Sequence, residues 1–147
     1  MKKITIQVTL TGIRPLMFDR FPGSITTGDA LEPLDKLYMD DQGNLIFPSL
    51  NLMSFLSSQG TESAPQRVMG RGWKAIAKAA LSFVDISPIN IPITRDGVQI
   101  TKDDPSIKIH HAVARVKKGQ LSIPSPKERP IVEDPWQLSF TIDLFEN

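Results

Sequence analysis

The sequence predicts an α+β protein with helices packed on an antiparallel sheet, and three observations carry that prediction. Apolar residues alternate at Ile4, Ile6, Val8 and Leu10 and again at Trp136, Leu138, Phe140, Ile142 and Leu144, the period of strands with one face on a core. Two stretches with helical spacing lie between residues 49 and 83. Glycine-containing turns at 40–44, 95–97 and 118–119 punctuate the remaining apolar runs, as hairpins require.

The two alternating stretches are expected to pair in one antiparallel sheet, with Thr5, Gln7, Thr9, Gln137, Ser139 and Thr141 facing water. Lys36 to Met39 and Leu45 to Phe47 flank Asp40-Asp41-Gln42-Gly43-Asn44 and read as a hairpin. A first helix opens at Pro48-Ser49, with Ser49 as N-cap, Leu50, Met53 and Leu56 on one face and Gly60 as the stop. Residues 57–66, SSQGTESAPQ, read as a loop. A second helix carries Trp73, Ile76, Ala77, Ala80 and Leu81 at i, i+3, i+4, i+7 and i+8 and ends before Pro88. Two hairpins follow: Ile91 to Thr94 with Val98 to Thr101, then Ile107 to Lys117 with Gln120 to Ile123. In the longer one the apolar parity slips between Ile107, Ile109 and Ala112, Ala114, Val116, which a β-bulge near His110-His111 would reconcile. The expected organisation is a single domain, 1–147, with two helices on one face of the sheet and a basic β-hairpin arm at about 105–124.

With 40% hydrophobic and 22% charged residues the chain has the composition of a globular protein. The absence of cysteine excludes disulfides, thiolate catalysis and cysteine-ligated zinc. Neither a signal peptide nor an apolar run long enough for a bilayer is present, so a cytoplasmic protein with no membrane partner is expected. The net charge of +1 conceals blocks of alternating sign. Residues 66–82 carry four basic side chains and no acid, and residues 105–129 carry six and one, so local positive surfaces are expected.

Catalytic signatures fail one by one. Gly23-Ser-Ile-Thr-Thr-Gly28 spaces its glycines like a phosphate loop, but Asp29-Ala30 replace the lysine and hydroxyl residue that such a loop needs. Adjacent strand residues His110 and His111 point to opposite faces and cannot easily share a metal. Either histidine could act as general base of a metal-independent ribonuclease, with Lys108 or Tyr38 nearby. No cofactor, no metal and no enzymatic activity are expected.

The basic blocks remain. Arg71, Lys74 and Lys78 at i, i+3 and i+7 would form one stripe on the second helix, extended by Arg67. Gly70 and Gly72 would let the backbone approach a phosphate at that helix N-terminus. The alternative is a solvated helix face preceded by a simple turn. In the arm, Lys108, Arg115, Lys117 and Lys118 would follow a nucleic-acid backbone, or else protect an exposed edge strand. Trp73 and Trp136 fall on apolar stripes and read as core, whereas Phe18 and Phe21 sit between a buried strand exit and exposure beside Arg14 and Arg20.

IRPLMFDRF at 13–21, LYMDDQGNLIFPSLNLMSFL at 37–56, RGWKAIAKAALSFVDISP at 71–88 and RPIVEDPWQLSFTID at 129–143 together resemble a family of small phage and prophage proteins. Phe18-Asp19 stands where that family has Met-His, removing a side chain of chemical interest. FPSLNLMSFL is also similar to the helix start of Cas7-like proteins, which bind single-stranded nucleic acid along a filament. That resemblance implies an RNA-recognition-motif or ferredoxin-like fold. The leading expectation is a non-enzymatic phage-type protein, a homo-oligomer, binding single-stranded DNA or RNA through the helix stripe and the arm. The alternatives are a phage interaction or anti-defence factor that grips a host or defence protein, and the ribonuclease above.

Overall fold

The structure is a computed structural model that describes residues 2–20, 31–60 and 63–146. Phe21 and the stretch from Gly23 to Gly28 lie outside the described residues. In chain order the elements are β1 (Lys2–Thr11), β2 (Leu16–Met17), a 3-10 turn (Pro33–Lys36), β3 (Ile46–Pro48), α1 (Ser49–Leu56), α2 (Ala64–Met69), α3 (Trp73–Phe83), β4 (Val84–Ser87), β5 (Asn90–Arg95), β6 (Val98–Gln99), β7 (Ile107–Lys118), β8 (Leu121–Val132) and β9 (Gln137–Glu146). This is an α+β chain with antiparallel sheets. It divides into two compact units, Met1–Leu10 with Ile46–Ile93 and Gln137–Asn147, and Thr11–Leu45 with Thr94–Trp136. Among the described residues no helix is long and apolar enough to cross a membrane.

In the first unit the sheet order is β1-β9-β5-β3, with β4 also pairing β9. Hydrogen bonds link Thr5 Oγ1 to Asp143 (2.6 Å), Gln7 to Thr141 (3.1 Å) and Thr9 to Ser139 (3.2 Å). The contacts ascend one strand as they descend the other, so β1 and β9 pair antiparallel, as the alternation in the sequence predicts. The apolar row of β1 is less covered than expected: Ile4, Ile6 and Leu10 are each about 40% exposed. The reason is position, since β1 lies at the end of the strand order.

The buried residues of this unit include Ile46, Trp73, Ala77, Ile86, Ile91, Ile93, Leu138 and Phe140. Ser49 is not the N-cap of α1. Pro48 holds that position, and Ser49 is a buried first residue whose N–H donates to Ile89 O at 2.8 Å. Part of the expected loop is helical: Ser63 caps α2 by accepting from Gln66 N, and Pro65 occupies the first turn. The buried stripe of α3 is narrower than the sequence suggests. Trp73 and Ala77 are buried one turn apart, while Ile76 and Leu81, on the flanks of that stripe, are more than half exposed. The chain then enters β4 directly, paired from Val84↔Leu144 to Ser87↔Thr141.

In the second unit β7 and β8 form a two-stranded ribbon of unbroken register from Ile107↔Val132 to Lys118↔Leu121, and β2 joins its base through Leu16↔Val132 and Met17↔Ile131. The expected bulge at His110-His111 is absent, because register is constant through both residues. The parity slip has another cause. Ile107 and Ile109 are half-buried on one face of the ribbon near its base, whereas Ala112 and Ala114 are half-buried on the other. There Leu31 and Lys36 border a groove of about 520 Å³ with Ala114, Val116 and Ser125, and Lys36 Nζ donates to Glu128 O at 2.6 Å.

The arm is also longer than expected, since β8 continues through Pro124, Pro126 and Pro130 to Val132. A two-residue turn, with Gly119 at φ +63°, joins Lys118 to Leu121. Its closing pair exchanges hydrogen bonds, so Arg115↔Pro124, Val113↔Pro126 and Ile109↔Pro130 fall on alternate, non-bonded positions. Pro124 and Pro126 therefore turn their missing donors to the outer edge, which a strand tolerates, and Pro130 faces the side of β2, where its carbonyl accepts from Phe18 N at 3.0 Å. The shorter hairpin has Asp96 and Gly97 both at positive φ, a type I′ turn between Arg95 and Val98. The expected hairpin around residues 40–44 reduces to one bridge, Met39↔Leu45, because Lys36 belongs to the 3-10 turn. Asp40 organises that turn by accepting from Gln42 N, Asn44 N and Asn44 Nδ2, each at 2.9 Å.

Candidate nucleic-acid interface

In the first unit the basic block of residues 66–82 is spread over two helices and the turn between them. Gly70, at φ +62°, ends α2, and Gly72, at φ +86°, precedes α3. A Cβ at either position would meet nothing within 4 Å, so it is backbone conformation that calls for glycine at both. The resulting cleft, about 640 Å³, is lined by Gln66, Arg67, Arg71, Trp73 and Lys74 together with the two glycines. No acid lines it. The N–H groups of Arg71, Gly72 and Lys74 donate to no backbone carbonyl among the described residues, which adds fixed positive dipoles to the mobile charges.

Arg71 lies in the turn and not on α3, so the expected single helical stripe is corrected to three sources: Arg67 from α2, Arg71 from the turn, Lys74 and Lys78 from α3. Arg67, Arg71 and Lys74 share the cleft, and exposed Lys78 stands one turn further along the helix. Lys74 Nζ lies 5.7 Å from the centroid of the Trp73 ring, a cation–π contact that steadies the ammonium at the rim. Trp73 itself is buried and offers no platform for a base.

In the second unit the arm divides its six cations into two groups. Lys108 pairs with Glu133 at 3.0 Å, and Lys127 and Arg129 both reach Asp19 Oδ2, at 2.7 and 3.0 Å. Burial would raise the Asp19 carboxyl, but hydrogen bonds from Lys127 and Arg129 and their charges hold it below its ordinary value. Arg115, Lys117 and Lys118, by contrast, are exposed at the distal end and make no ion pair among the described residues. Available charge is thus concentrated at the tip. His111 Nδ1 lies 3.3 Å from Glu128, and His110 is opposite Arg129.

No family model, curated protein or solved structure matches the chain. The sequence brings out the cations but not the neutralising acids, since Asp19 and Glu133 belong to other blocks. It also passes over Phe55, an aromatic 57% exposed on α1, although Phe55 falls outside the Leu50, Met53 and Leu56 set and so could have been found. Phe18 is buried and packs with Tyr38 at a centroid distance of 6.4 Å.

Proposed function

We propose that this chain is a non-enzymatic, oligomeric protein that binds single-stranded DNA or RNA, with the phage-type origin and host-cytoplasmic setting that its sequence resemblance suggests. The observation that carries the reading is the convergence of Arg67, Arg71 and Lys74 on one cleft, lined by no acid among the described residues, where the turn between α2 and α3 leaves the N–H groups of Arg71, Gly72 and Lys74 without a backbone acceptor among those residues. Such a cleft suits phosphate oxygens, which take both charge and N–H donors. Its volume is in the class of small-ligand clefts, enough for a phosphate and part of a nucleotide. Arg115, Lys117 and Lys118 on the arm supply a second backbone contact.

Electrophoretic titration of fluorescent oligothymidylate and oligouridylate at two salt concentrations tests this. The expected result is a shift at low salt that weakens at high salt and is lost in the Arg71→Glu/Lys74→Glu/Lys78→Glu variant. A folded wild-type chain giving no shift at low salt overturns it. A second reading, a factor that grips a host or defence protein, is favoured by the exposed Leu50, Phe55, Val68, Ile76 and Leu81 of the three helices. A shift that survives the triple variant would remove the cleft from the binding surface.

A further inference from the structure

Sheet edges carry unpaired N–H and C=O groups and are blunted by charge, proline or shortness. Most edges here follow that rule. β8 turns Pro124 and Pro126 outward, β7 carries Lys108, Arg115, Lys117 and Lys118 without an acid, β3 has three residues and ends in Pro48, and β6 has two. β1 confines its charge to Lys2 and Lys3 at one end and otherwise has none of these devices. It runs for ten residues without proline or glycine, bears no charge from Ile4 to Thr11, and among the described residues has a strand on one side only.

The groups that β1 turns outward follow from its pairing. Gly12 N–H donates to Trp136 O at 2.7 Å, and bonding alternates along an antiparallel pair. Even-numbered residues of β1 therefore bond toward β9, and Thr5, Gln7 and Thr9 direct their N–H and C=O groups outward.

We infer that β1 pairs antiparallel with β1 of a second copy, about a two-fold axis at Gln7, so that two sheets become one. In this register Gln7 faces Gln7 of the partner subunit, and Thr5 faces the partner's Thr9. On the other face Ile6 meets the partner's Val8 and Ile4 meets the partner's Leu10, which covers the row that one sheet leaves about 40% exposed. Charge selects this arrangement. Lys2 and Lys3, each paired with an acid of β9 at 3.7 Å, go to opposite ends of an antiparallel pair, whereas a parallel pair would set them side by side. A one-residue slip would oppose an apolar residue to a polar one from Ile4 to Leu10. The same patch serves both copies, as a closed two-fold interface requires.

The inference does not rest on nucleic-acid binding, so it is tested on the full chain alone. Sedimentation across a concentration series is expected to move from 16.3 kDa to twice that mass. Because the chain has no cysteine, Gln7→Cys introduces a single thiol at the axis, and mild oxidation is expected to give a disulfide-linked dimer that Val113→Cys on the arm does not. Gln7→Pro, which removes an outward donor and leaves every donor toward β9, is expected to abolish the dimer. Gln7→Lys, an exposed change that spares the backbone, is expected to weaken it at least tenfold with the circular dichroism unchanged. A wild-type chain monomeric up to its solubility limit overturns the inference. So does a dimer that is indifferent to Gln7→Lys and fails to cross-link through Gln7→Cys.

Discussion

Gly12 is fixed by one neighbour. A Cβ added there would fall within the indole of Trp136, and that ring is held in place because its Nε1–H donates to Arg14 O at 2.8 Å. Gly12→Ala is therefore expected to lower stability by about 3 kcal/mol, the upper end for overpacking, read as a shift of the urea midpoint. Asp19 responds to pH instead. Burial works to raise its carboxyl, but Lys127 and Arg129 prevail and hold it low. A carboxyl depressed in the folded state contributes stability above its unfolded value, about 4, and loses that contribution as pH falls through the folded value. Thermal melts of the wild-type chain should fall below about pH 4, and Asp19→Asn should make the fall shallower. With Asp19 37% exposed, the difference will be small. Neither residue is legible in the sequence as critical, since the partner that makes it so lies more than a hundred positions away.

Among the elements, β8 shows how a breaker can sit within a strand. Pro124, Pro126 and Pro130 share one parity, and that parity is the non-bonded one toward β7. Replacing Pro124 and Pro126 with threonine leaves the ribbon's own bonds intact and restores two outward donors, so light scattering should show faster concentration-dependent aggregation of the variant. Proline content alone does not say which way the missing donor points, so the sequence predicts an arm that ends near Pro124. β1 and β9 were legible because alternation over several residues has one simple explanation. α2 was not, since six residues are too few to establish a period, although Ser63 followed by Pro65 marks a helix start. The apparent bulge failed for a related reason: a change of buried parity has two explanations, an inserted residue or a ribbon covered on opposite faces, and only the register separates them.

For the molecule as a whole, the division of charge sets the expected salt response. If Arg67, Arg71, Lys74 and Lys78 alone contact a single strand, log K should fall against log salt with a slope of about −3. Engagement of Arg115, Lys117 and Lys118 as well should steepen it to about −5. Titration of Arg115→Gln/Lys117→Gln/Lys118→Gln at several salt concentrations separates the two cases. Basic blocks were legible because each is local in sequence, but the silencing of Lys108, Lys127 and Arg129 depends on acids brought in by the fold. The same contrast between local and distant pairing orders events during synthesis. The ribbon joins residues no further apart than Ile107 and Val132, so it can close while the chain is still being made. Thr5 waits for Asp143, 138 residues later. Throughout that interval β1 is a nascent strand with no proline and no charge beyond Lys2 and Lys3 to guard it, so translation itself is the period in which this chain is most open to capture by a foreign strand.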